Sequence, residues 1–386
     1  MAIRRNLAIG LCAAAVAIGG LSACANKAAF PLDSAWRFAC AITNDAKDMA
    51  LCKERVARAH LELGETDGAL RRAHAIEGWR KPAVLADIAT HLLQAGDRSR
   101  AQPILAEARA LGAAVTNWPY DRVLLHVTQA EVLMGNREGA HEIRIRYDLN
   151  PEHRGRADAY FALSLLLSGR TEEALRTLEA LPGESRYEDF QWQTEGYLLI
   201  ATAGRLGTAD ASNVLERAWA STEAIPGWKR WEQRLNVVDA MRTTGLTGGI
   251  PARLEFVTTN VMTLRQPGHI KAPLMAQVAL RWARAGEPGR VAALSLAAEP
   301  LVVTESQPME QPSVWAAFAE AAAVSGDRPL ARDLYRRAID TAAGLVNLRP
   351  RAIACVDIAL SAARSGFDDP TLRAGLTRLM ATFHDG

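Results

Sequence analysis

Five cysteines and eight histidines are the residues of this 386-residue chain best suited to covalent bonding or metal binding. The histidines are His60, His74, His91, His126, His141, His153, His269 and His384. No two stand four apart, the spacing that puts a ligand pair on one helix face, and no Cys stands at metal spacing to them. A Gly-x-Ser-x-Gly nucleophile turn, a phosphate-cradling loop and a dinucleotide fingerprint are all missing. Gly245-Leu-Thr-Gly-Gly249 has neither a preceding strand nor a following Lys-Ser/Thr and reads as a turn. Catalytic residues, a metal site and a soluble cofactor are therefore not expected, and the chain does not read as an enzyme. The cysteines lack the repeated pair spacing of a disulfide scaffold or a zinc module, so each is taken singly. Cys355, within Ala354-Cys355-Val356, reads as a buried core thiol.

Cys12 and Cys24 belong to the N-terminal stretch. Arg4 and Arg5 precede an uncharged apolar and small run, Leu7 to Ala23, which ends Leu21-Ser22-Ala23-Cys24. A basic start, an apolar core and a small-residue cleavage site make a secretory signal peptide over 1–23. The same run is just long enough to span a bilayer if uncleaved. The Leu-Ser-Ala-Cys ending resembles the lipobox of bacterial lipoproteins. That resemblance implies diacylglycerol on the Cys24 thiol, cleavage before it, and acylation of the new amine. Several acyl chains anchor firmly, since each buried methylene contributes about 0.8 kcal/mol. Ala25, where Asp would retain the protein at the inner membrane, implies the outer membrane, facing the periplasm. Residues 24–33 would be a lipidated tether reaching at most roughly 30 Å.

Export to an oxidising compartment bears on Cys40 and Cys52. They are equidistant from Ala46 in the turn Thr43 to Lys47, so two antiparallel helices joined there place them at one height, predicting a disulfide. The charge also divides at the signal. Of 45 Lys+Arg against 43 Asp+Glu, the excess of two is Arg4 and Arg5. A neutral remainder gives no case for a nucleic-acid partner.

Residues 34–386 repeat. Gly64, Gly96, Gly135, Gly169, Gly204, Gly245, Gly286, Gly326 and Gly366 recur at spacings of 32 to 41 residues. Five residues after the Gly stands Ala69, Ala101, Ala140, Ala174, Ala209 or Ala331, with Ile250, Val291 and Thr371 in the other units. Eight residues before it, except in the fifth unit, stands Val56, Ile88, Val127, Phe161, Val237, Val278, Phe318 or Ile358, usually followed by Ala. Apolar residues at i, i+3/i+4 and i+7 read as helices, and the Gly ends each first helix. Pro82, Pro119, Pro151, Pro273, Pro312 and Pro350 fall between units. No useful length alternates with the period of a strand. The expected fold is all-α, about nine helical hairpins. The fifth unit fits two registers, one on Ala209 and one shifted by two onto Ala211, Leu215 and Ala218.

Trp315 to Ala338, with Gly326-Asp, Ala331, Tyr335 and Ala338, resembles a tetratricopeptide repeat position by position, and Ser168-Gly169-Arg-Thr-Glu-Glu-Ala174-Leu is a second match. The resemblance covers roughly residues 48 to 381. It implies a right-handed superhelical α-solenoid, here with an N-terminal capping helix that has a neighbour on one side only. The last four spacings, 40 or 41 residues, depart from the family's 34-residue unit.

In that family the first helix of each hairpin lines a concave groove. The residues so placed here are Thr90, Gln94, Arg122, Gln129, Asp239, Arg242, Arg284, Glu320 and Arg364, a mixed groove suited to an apolar helix or extended peptide. Trp79, Trp118 and Trp228 each stand 17 residues before a turn Gly, with Arg80, Arg122 and Arg230 nearby. They make a candidate aromatic and cationic edge, or a set of staples fastening each loop to the preceding hairpin. The expected function is a lipid-anchored scaffold for proteins or peptides of the cell envelope, serving envelope assembly, secretion or control of peptidoglycan enzymes. The alternative is a glycan- or polymer-binding subunit of an envelope export machine.

Overall fold

The computed structural model describes residues 21–145, 151–181 and 187–383. Residues 1–20 of the expected signal lie outside the described residues. The described residues hold nineteen α-helices and no strand. Helix α1 (Leu21–Cys40) is followed by α2 (Ala46–Glu62) and α3 (Thr66–His74), then α4 (Arg80–Gln94) and α5 (Arg98–Ala113). Next come α6 (Pro119–Met134), α7 (Arg137–Ile145), α8 (Pro151–Leu167), α9 (Thr171–Glu179), α10 (Tyr187–Thr202) and α11 (Thr208–Ser221). The remainder are α12 (Trp228–Thr243), α13 (Ile250–Thr263), α14 (Gly268–Arg284), α15 (Pro288–Pro300), α16 (Gln311–Val324), α17 (Arg328–Ala343), α18 (Leu348–Ser365) and α19 (Pro370–Ala381).

After α1 the helices alternate first and second in nine pairs, and every recurrent Gly lies between the two helices of a pair. All nine have positive φ, from 60° at Gly366 to 99° at Gly135, which a side chain would strain. The anchors before the turn and the small residues after it are the buried ones. Val56, Ile88, Val237, Val278, Phe318, Ile358, Ala69, Ala101, Ala140, Ala174 and Ala331 all have no exposure. Phe161 is half-buried, with the Arg144 guanidinium 4.6 Å from its ring.

The fifth unit takes the shifted register. Gly204 makes the turn, but Ala211, Leu215 and Ala218 are buried while Ala209 is exposed. The long spacings arise in the second helices. These have 9 residues in α3, α7 and α9, but 16 in α5 and α17. Helix α11 gains a 3₁₀ turn at Thr222–Ala224, and α15 runs on into a π turn at Leu301–Glu305. Pro273 lies inside α14 rather than between units, because that helix begins at Gly268.

The chain forms two compact units. In the unit of residues 89–250, the first helices α6, α8, α10 and α12 pack side by side in succession. Among the described residues, the other unit joins 21–88 with 251–383. There α14, α16 and α18 pack in succession, and α18 packs in turn against α2 and α1.

Two expectations about the N-terminal segment change. The stretch read as a tether belongs to α1, whose residues Ala28, Leu32, Ala35, Phe38 and Ala39 recur at helical spacing and are buried. Nor does α1 have a neighbour on one side only: it packs against α2, α18 and α19. Phe38 meets Phe383 edge-on with ring centres 5.7 Å apart.

Candidate binding surfaces

The first helix of a pair is apolar where it meets its partner helix, so polar side chains along its remaining face collect beside those of the next first helix. In the unit of residues 89–250 this places Gln129 of α6 with residues of α8, α10 and α12. Tyr160, fully buried on α8, donates its hydroxyl to Gln129 Oε1 at 3.1 Å and accepts from Arg156 Nε at 2.9 Å. The Arg156 guanidinium lies 5.6 Å from the ring centres of both Tyr160 and Trp192. Gln191, donating at 3.2 Å, and Gln233 hydrogen-bond the Glu195 carboxylate. Burial pushes Glu195 above the ordinary carboxylate range, against the pull of Arg156. The row offers amides, a carboxyl and a guanidinium beside aromatic rings, a mixed set of donors and acceptors.

In the other unit the row is ionic. Arg364 of α18 pairs with Glu62 of α2 at 2.6 Å, and the charges of Arg364 and Arg284 both act on Glu320 of α16. Burial pushes Glu320 up despite both arginines. Burial also opposes the Arg364 charge, but Glu62, Glu320 and Asp357 outweigh it and hold that guanidinium ionised. Farther along the same helices Arg55 pairs with Asp357, which also accepts from Ser313 of α16. Near the start of α2, Arg349 reaches Asp45 at 2.7 Å and Asp48 at 3.5 Å. The pairs 45–349, 55–357 and 62–364 follow one another along α2 and α18, so the two helices run side by side in the same direction.

The sequence-derived groove residues divide accordingly. Arg284, Glu320 and Arg364 come together, and Gln129 joins the Tyr160 network. Asp239 and Arg242 are half-buried on α12. Gln94 is exposed, whereas Thr90 is buried and its hydroxyl has no hydrogen-bond partner among the described residues. The tryptophan edge is mostly committed to the fold. Trp79 is half-buried beneath Arg80, whose guanidinium pairs with buried Glu54. Arg230 near Trp228 donates to the Ile225 and Glu223 carbonyls at 3.0 and 2.7 Å. Trp118 alone of the three is largely exposed, at 61%, with Arg122 5.0 Å from its ring centre. It borders an open depression with Val115, Asn117, Tyr120 and Asp121.

The disulfide is not formed. Cys40 and Cys52 are free thiols, Cys40 exposed at the end of α1 and Cys52 buried beside Arg55, which hydrogen-bonds it. Cys52 stands beside Arg55 and Asp357, the α2–α18 pair. Burial raises the Cys52 and Cys355 thiols to about 12. The side chain of Cys24 lies outside the described ones.

Sequence reasoning missed Arg55, Tyr160, Glu195 and Asp357, and one signal could have found them. Each stands nine residues before its turn Gly, a side chain with a polar group at one fixed register of the repeat. The described residues thus define an all-helical protein of tandem hairpins with polar rows on the first helices. No family model and no curated protein matches the chain.

Proposed function

We propose that the chain is a lipid-anchored α-solenoid of the tetratricopeptide kind that holds protein partners at the periplasmic face of the outer membrane, with acyl groups on Cys24. The observation that carries the scaffold reading is the polar row along successive first helices. It is a row of mixed donors and acceptors, half-buried at Arg156, Gln191, Trp192 and Glu195, which suits recognition of a peptide or helix. The anchor rests on the Leu21-Ser-Ala-Cys24 ending behind a charged and then apolar stretch.

Two experiments test it. Crosslinking in cells followed by affinity purification should recover one defined envelope protein, and its yield should fall with Glu195→Ala or Gln233→Ala. Recovery unchanged by both substitutions would refute the assignment of that row. Cys24→Ser should abolish palmitate incorporation and move the protein out of the membrane fraction. Unchanged labelling and fractionation would refute the anchor. The glycan-binding reading keeps one supporting feature, the exposed Trp118 with Arg122. Retention on envelope polysaccharide that is lost in Trp118→Ala would favour it.

A further inference from the structure

We infer that the edge of the second unit at the α18–α19 turn, where α1 begins, is the face that rests on the phospholipid bilayer. This rests on the lipoprotein reading of Cys24 and adds the direction in which the anchor leaves the fold. The side-chain partners of α1 give that direction. Phe30 lies under Arg373 at 4.9 Å, and Arg373 pairs with Asp368 in the turn that follows Gly366. Asp33 takes Arg72 at 2.6 Å, and Trp36 lies 4.6 Å from Arg72 and 5.6 Å from Lys53 in the middle of α2. Phe38 then meets Phe383, just past the end of α19. The partners advance from the start of α19 to its end, so α1 enters at the turn edge and runs toward the opposite one.

Cys24 precedes Phe30 by six residues, about 9 Å of helix axis at ~1.5 Å per residue. Arg373 is three residues into α19, or about 4.5 Å. Cys24 therefore stands at or beyond the level of the Gly366 turn, and its acyl chains leave the protein there. A free tether of nine residues would let the body turn either way. A helix docked through Ala28, Leu32, Ala35 and Phe38 does not. The basic residues at this edge, Arg328, Arg332 and Arg373, are accompanied by Asp327, Asp368 and Asp369. With that balance the contact follows from the anchor and not from lipid charge, so it should form on zwitterionic lipid.

The test uses the full chain, processed in a lipoprotein-competent host and reconstituted in phosphatidylcholine vesicles doped with a nickel-chelating headgroup lipid. A spin label is placed at one of two positions. The first is the exposed Cys40, sixteen residues from Cys24, or about 24 Å along α1. The second is Thr371→Cys in a Cys40→Ser background, at the exposed start of α19. Cys52 and Cys355 are buried and stay unlabelled. Nickel should relax the label at position 371 strongly and leave the one at position 40 nearly unchanged. Equal relaxation, or a stronger effect at position 40, on protein that carries palmitate overturns this inference alone. Protein without palmitate overturns the lipoprotein reading and this inference with it.

Discussion

His60 is 6% exposed, with Nδ1 2.8 Å from the Glu65 carboxylate. Burial holds its pKa below the ordinary histidine value, against the favourable influence of Glu65. As pH falls below about 6.5, the unfolded chain takes up a proton here before the native one does. The contribution of His60 is thus complete at neutral pH and is lost as acidification goes on toward the depressed native pKa. Urea melts from pH 7 to 5 should show stability falling, with a shallower slope in His60→Gln. Gly155 gives a prediction opposite to helix propensity. In α8, Ala for Gly should gain about 1 kcal/mol. Here, however, an added Cβ would meet Trp192 Cδ1, Cβ and Cγ at 2.6 to 2.8 Å. An indole packed against the helix cannot yield as a flexible chain end does, and overpacking costs about 1–3 kcal/mol. Gly155→Ala should lower the urea midpoint. At this scale the turn glycines were legible, because a positive φ is a local demand. Gly155, tight against a ring 37 positions later, carries no local mark.

Between elements, the junction of α1 and α2 with α18 combines an apolar contact and an ionic one. Phe38 has no exposure, and Phe38→Ala should cost about 3–5 kcal/mol, read as a lower thermal midpoint. Beside it, the Arg55 and Asp357 side chains are 17% and 8% exposed. Asp357→Leu strands Arg55 and Ser313 and should cost about 3–5 kcal/mol. The Arg55→Leu/Asp357→Leu pair should cost less than the sum of the singles, because no unpaired charge is left inside. Additive losses in the double-mutant cycle would show that the pair does not couple. The hairpins were legible because the signals for each, a turn Gly with an apolar and a small residue at set distances, fall within one unit. The pairing of α2 with α18 was not. Its partners lie 302 residues apart, and nothing around Arg55 singles out Asp357 among other acids. The same limit applies to Cys52, whose contacts with Arg55 and Asp357 join residues about 300 positions apart.

At the scale of the whole molecule, among the described residues one of the two compact units is continuous and the other joins 21–88 with 251–383. Removing α18 and α19 should therefore expose a segment some 300 residues away. In a chain truncated before Leu348, limited proteolysis read by mass spectrometry should find cuts in residues 28–45, which the full chain protects. Protection there without the C-terminal hairpin would show that α1 is held by α2 alone. The late arrival of α18 has a consequence for biogenesis. The segment that leaves the ribosome first buries its apolar face against the last segment to arrive. Until residue 383 has been made, Leu32, Phe38 and Ile42 lack much of the surface that covers them in the finished protein. Closing so long a loop is also intrinsically slow. Such a face calls for cover by a holding chaperone until the C-terminal helices are made, and pulse-chase trapping should find that chaperone on the N-terminal segment.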